Sequence, residues 1–72
     1  MIYERDFTLT TDERNTLLFL TGGIKVFTTD ILSPPEIHNI YVYFGNLLDL
    51  KERIIKVIIF KDHVTLKLFK GE

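Results

Sequence analysis

Cysteine, alanine, glutamine and tryptophan are all absent from this 72-residue chain. Without cysteine there is no disulfide framework and no thiolate metal site. Alanine is the best helix former, so its absence removes the commonest support for long helices. Long apolar runs are missing too; none approaches the roughly 18 residues a membrane span needs. The opening "MIYERDFTLT" is charged within its first six residues and has no apolar signal-peptide core. These features lead us to expect a cytoplasmic protein. A single domain over residues 1–72 is expected from length alone. A chain this short buries only about 60% of its unfolded surface, so its core is small.

Charge of one sign is also lacking, with nine Lys and Arg against ten Asp and Glu and a net charge of −1. The halves differ: residues 1–36 hold six acids and three bases, and residues 37–72 hold four acids and six bases. A C-terminal excess of two positive charges falls well short of a nucleic-acid-binding footprint.

Catalytic and cofactor patterns are missing as well. His38 and His63 stand 25 residues apart with no acid at a ligand spacing, whereas a zinc site needs three or four ligands. Ser33 is the only serine and has no histidine within evident reach. Gly22-Gly23 lacks the spacing of either phosphate-binding fingerprint. Asp49 and Glu52 are three apart and read as the solvated start of a short helix over 47–53, with Asn46 as its cap. No enzyme, cofactor or metal is therefore expected.

What is there is β-rich. Nine isoleucines and six phenylalanines favour strands. Ile, Lys, Phe, Tyr and Asn supply 27 of the 72 residues. Their mostly AT-rich codons suit a low-GC bacterium or its phage. "YERDFTLT" alternates, with Tyr3, Arg5, Phe7 and Leu9 on one side. "NTLLFLT", Gly22-Gly23 and "IKVFTT" read as a hairpin, because glycine reaches positive φ freely. A helix over 12–21 capped by Thr11 is the rival reading. "DILSPPEIHN" reads as a loop in which Pro34 and Pro35 end regular structure. It is either an ordinary crossover or a preformed epitope. "IYVYF" reads as a strand. "IIKVIIFKDHVTLKLFKG", residues 54–71, reads as a hairpin turning near Lys61-Asp62-His63. Ile55, Val57 and Ile59 then oppose Val64, Leu66 and Leu68. The expected fold is mainly β: a small antiparallel meander sheet or partly closed barrel of five to six strands, with at most one or two short helices.

In this reading the strands are apolar on both faces. One face carries Phe7, Leu9, Leu18, Leu20, Val42, Phe44, Ile55, Val57, Ile59, Val64, Leu66 and Leu68. The reverse face carries Leu17, Phe19, Phe27, Tyr41, Tyr43, Ile54, Ile58, Phe60 and Phe69. If each of those nine lost about 50 Å² on contact, two copies would gain on the order of 20 kcal/mol gross, against an association cost of about 4–15 kcal/mol. The sequence thus points to a small noncatalytic protein–protein interaction module. It would be oligomeric, and of the size of a phage or mobile-element inhibitor or regulator acting in the host cytoplasm. Its expected partners are a second copy and another protein. The alternative is a nucleic-acid-binding small β-barrel. In it Lys56 and Lys67 would meet phosphates while Tyr41, Tyr43, Phe60 and Phe69 stack on bases.

Overall fold

A computed structural model describes residues 1–71. Its chain runs β1 (Ile2–Thr8), α1 (Thr11–Leu20), β2 (Val26–Thr28), a 3₁₀ turn (Thr29–Ile31), α2 (Pro34–Phe44), β3 (Glu52–Ile59) and β4 (His63–Lys70). The strands form one antiparallel sheet in the order β1-β4-β3-β2. The class is that of a small antiparallel sheet. Among the described residues it has four strands, two helices on one face and unpaired edges at β1 and β2, in place of five to six strands or a closing barrel.

The alternation in β1 is as the sequence indicates: Tyr3, Arg5 and Phe7 are half-buried and the residues between them are exposed. The final hairpin is also where the sequence puts it. Phe60 donates its amide to the His63 carbonyl at 2.9 Å to close the turn. Val64, Leu66, Leu68, Val57 and Ile59 are buried. A bulge between Ile54 and Lys56 shifts the register. It gives Ile54, rather than Ile55, the core position; Ile55 stays half-buried.

Residues 12–21 are not a strand. Thr10 caps α1: its hydroxyl accepts the Glu13 amide at 3.2 Å, and Glu13 accepts the Thr10 amide at 3.0 Å. This reciprocal pair satisfies two orphan donors of the first turn. It sits one residue earlier than a Thr11 cap. Gly22 and Gly23, at φ +66° and +86°, end the helix instead of turning a hairpin. Thr21 is buried there, its hydroxyl within reach of the Leu18 and Ile24 carbonyls at 3.2 and 2.9 Å.

"SPPEIHN" is a helix start. Pro34 and Pro35 occupy the first helical positions, where a missing amide costs nothing and φ is already set. Glu36 accepts from the Ser33 amide at 3.0 Å and from its hydroxyl at 2.8 Å. "IYVYF" continues this helix. Ile37, Ile40, Tyr41 and Phe44 follow helical spacing, and Ile40 and Phe44 are fully buried. Val42 points away from the core, 66% exposed. Residues 47–53 hold no helix; turns lead straight into β3.

The core lies between the helices and one sheet face, where Leu17, Ile40 and Phe44 meet Phe27, Ile54, Val57, Leu66 and Leu68. Short β2 pairs only with residues 56–58 of β3. Beyond it, side chains take the place of a neighbouring strand. The Tyr41 hydroxyl accepts the Ile54 amide at 2.8 Å, and the Thr29 hydroxyl donates to the Ile54 carbonyl at 2.9 Å.

Candidate interaction surface

Among the described residues, the second sheet face has no layer over it. Its rows follow from the strand register. Ile2, Phe69 and Arg53 form one row; Glu4, Lys67, Lys56 and Thr28 the next. Asp6, Thr65, Ile58 and Val26 form a third. Thr8, His63 and Phe60 complete the face at the hairpin end. Strand alternation builds it, since each residue on this side lies between two that face the helices. Ile2 and Val26 are more than half exposed, Phe60 and Phe69 are each 43% exposed, and Ile58 is half-buried between its neighbours.

The polar groups here are arranged by sign. Acids stand on edge strand β1 (Glu4, Asp6), and bases on inner strands β3 and β4 (Arg53, Lys56, Lys67). Lys56 and Lys67 are direct cross-strand partners, a like-charge pairing that costs energy unless a countercharge stands by. Glu4 is that countercharge, opposite Lys67 on the other side. Asp6 accepts a 2.6 Å hydrogen bond from Thr65. At the turn, Phe60 and His63 stack with ring centroids 4.5 Å apart. His63 Nδ1 lies 2.7 Å from the Asp62 carboxylate, which holds that carboxyl below its usual range.

The fold divides the nine reverse-face residues. Ile58, Phe60 and Phe69 share the open face. Leu17, Phe27 and Ile54 are taken into the core of this chain: Leu17 because it lies on a helix, Ile54 because of the bulge, and Phe27 because its neighbours Val26 and Thr28 take the outward positions. Phe19, 85% exposed, stands alone on α1, away from the sheet. Tyr41 and Tyr43 belong to α2, behind the sheet, and are engaged there. Tyr41 binds the Ile54 amide, and Tyr43 donates to the Glu13 carbonyl at 3.1 Å. Of the six expected nucleic-acid contacts, Lys56, Lys67, Phe60 and Phe69 therefore share a face and the two tyrosines do not. Ile2 and Val26 belong to the surface but were missed. The alternation of "MIYERDFT" already placed Ile2 opposite Tyr3, whereas Val26 needed the register of β2.

A second cluster surrounds Glu52, which is buried and not on a solvated helix start. Its carboxylate accepts from the Asp49 amide at 2.8 Å, from the Tyr3 hydroxyl, and from Arg5 Nη1 at 2.8 Å. The Asp49 amide, then the Tyr3 hydroxyl, lead in holding its pKa down at about 2. The same bond pushes Tyr3 up to about 12. Arg5 also donates to the Leu47 carbonyl at 3.2 Å, so the cluster ties the 45–51 turn to β1. A cleft of about 170 Å³ beside it is lined by Tyr41, Gly45, Leu48, Asp49, Leu50, Glu52 and Arg53. Glu52 and Tyr41 are both committed to internal bonds, which gives them structural work there.

Among the described residues, no group of three or more His, Cys, Asp or Glu side chains is placed to hold a metal ion. No helix among them is long and apolar enough to cross a membrane. Comparison with protein-family models, curated proteins and solved structures finds no match to this chain.

Proposed function

We propose that this protein is a noncatalytic protein-interaction module that binds through the open face of its sheet. One observation carries the reading: Ile2–Phe69 and Val26–Ile58, apolar pairs in direct cross-strand register, lie uncovered on either side of a charged row. Exposed apolar side chains gathered on one sheet face mark an interaction surface. Small size and AT-rich composition suit an inhibitor or regulator encoded by a phage or mobile element and acting in the host cytoplasm. The test is capture by the immobilised chain from a low-GC bacterial extract. A protein held by the wild type and by Phe19→Glu, but lost with Ile58→Glu, fits the proposal. Equal retention by all three, or by none, contradicts it.

The nucleic-acid reading keeps one specific observation, the adjacent Lys56 and Lys67 with Arg53, Phe60 and His63 on the same face. Glu4 and Asp6 weigh against it, because a phosphate backbone crossing this sheet meets both. Without tryptophan the chain absorbs little at 280 nm. Bound nucleic acid would dominate the spectrum at 260 nm, and a protein-like spectrum of the purified chain would reject that reading.

A further inference from the structure

We infer that the β1 edge of the sheet takes an extended segment of another protein as a fifth strand, and that this segment alternates basic and apolar residues. The edge is a second surface, separate from the open face.

The two edges of the sheet are built differently. On the far side, β2 is three residues long, and beyond it the Tyr41 and Thr29 hydroxyls close the backbone of Ile54. β1 is seven residues long, and among the described residues nothing closes it. Its outward groups follow from the two ends of its ladder. The Lys70 amide donates to the Met1 carbonyl and the Leu9 amide to the Asp62 carbonyl, both at 2.9 Å. Odd-numbered residues therefore turn their backbone groups toward β4. Ile2, Glu4, Asp6 and Thr8 turn theirs outward, and all four residues are exposed. Their amides and carbonyls have no hydrogen-bond partner among the described residues. A row of this kind is what an added strand pairs with.

Charge selects the strand. Among the described residues the ion pairs are Arg5–Glu52, His63–Asp62 and Lys70–Asp49, and neither Glu4 nor Asp6 belongs to one. Arg5, between them, is held on the helix side by Glu52 and the Leu47 carbonyl. A second copy of β1 suits this edge poorly. Antiparallel pairing centred on Arg5 sets Arg5 against Arg5 and Glu4 against Asp6, and centring on Glu4 or Asp6 sets that acid against its own copy. Like charges directly opposite destabilise a strand pair. The acids that repel a copy attract bases. Residues opposite Glu4 and Asp6 lie on the open side of the sheet, where lysine or arginine matches them. The intervening residues fall on the helix side, beside half-buried Tyr3 and Phe7 and beside Leu47, which is 48% exposed. Apolar side chains suit those positions.

The test is amide hydrogen exchange of the isotope-labelled chain, followed by NMR, with a capped peptide of the length of β1 that alternates lysine and valine. The peptide is added to about 1 mM so that a weak complex registers. The amides of Tyr3, Arg5 and Phe7 are expected to be protected throughout. Those of Ile2, Glu4, Asp6 and Thr8 are expected to exchange freely alone and to become protected with the peptide. A peptide alternating glutamate and valine is expected to protect none of them. Removing both charges with Glu4→Gln and Asp6→Asn is expected to weaken binding by about 2- to 30-fold. Thr8→Pro deletes one outward amide and no bond to β4, and is expected to weaken it by about 2- to 13-fold. Val26→Glu, at the opposite edge, is expected to leave it unchanged. Absence of the alternating protection overturns the inference, even if the peptide shifts signals on the open face. So does equal protection by the glutamate peptide, or an affinity that survives loss of both acids.

Discussion

Leu17 and Phe19 lie two residues apart, and a strand would put both on one face. Helix α1 separates them by about 200°. Leu17 is fully buried and Phe19 is 85% exposed. Truncation of each to alanine therefore separates helix from strand. Leu17→Ala removes buried methyl groups between α1 and the rest of the core and leaves a cavity there, at a cost of about 2.5–4 kcal/mol. A 72-residue domain holds only about 4–11 kcal/mol in total. The loss lowers the melting temperature by roughly 10–25 °C for a chain of this length. Phe19→Ala removes an exposed ring and adds a better helix former, so its effect stays within about 0.5 kcal/mol. The assay is urea and thermal unfolding followed by circular dichroism, in dilute solution so that association does not contribute. Equal costs at the two positions, or a larger cost at Phe19, would refute the placement of α1.

Three further outcomes follow from the same geometry. Thr10→Ala removes the cap of α1 and is expected to cost about 1 kcal/mol in urea unfolding, with Thr11→Ala close to neutral. Gly23→Ala forces a Cβ into φ +86° and is expected to cost about 1 kcal/mol by the same assay, although nothing lies within 4 Å of the added atom. Glu52 ionises at about 2 in the fold against an ordinary 4.5, so its contribution is complete above about 4.5 and is lost as pH falls toward 2. Melting temperatures taken from pH 5 to pH 2 should fall more steeply for the wild type than for Glu52→Gln, and parallel curves would refute this. Glu13 and Glu36, whose pKa values are lowered by the amides of Thr10 and Ser33, add slope of the same sign.

The parts of the fold legible in the sequence were those where period and composition agree. In β1 and the final hairpin, alternation at period two coincides with β-branched and aromatic residues, and both elements form as read. α2 escaped because the two signals conflict. "IHNIYVYF" has strand composition, yet Ile37, Ile40, Tyr41 and Phe44 recur at helical spacing. The arbiter was present in Ser33-Pro-Pro-Glu36, a cap with prolines at the first helical turn. Thr10-Thr-Asp-Glu13 carried the same signal for α1. The bulge at Ile54–Lys56 had no local signature, and it decides which isoleucine enters the core. Of the surface, Ile58, Phe60, Phe69, Lys56 and Lys67 were legible because the hairpin was. Leu17, Phe19, Tyr41 and Tyr43 were misplaced with their elements, whereas Phe27 and Ile54 lie in strands as read but face the core. Glu52 could not be recognised as buried from sequence, because its partners Tyr3 and Arg5 are 49 and 47 residues away.

The most direct test of the open face is a methyl NMR titration of the chain with the protein it captures from the extract. The Ile58 and Val26 methyl resonances report on the sheet surface, while those of Ile31 and Val42, both more than 60% exposed, lie away from it. The account predicts that the Ile58 and Val26 signals shift as the captured protein is added and that the Ile31 and Val42 signals stay put. Shifts confined to Ile31 and Val42 would place the contact on another surface and contradict it.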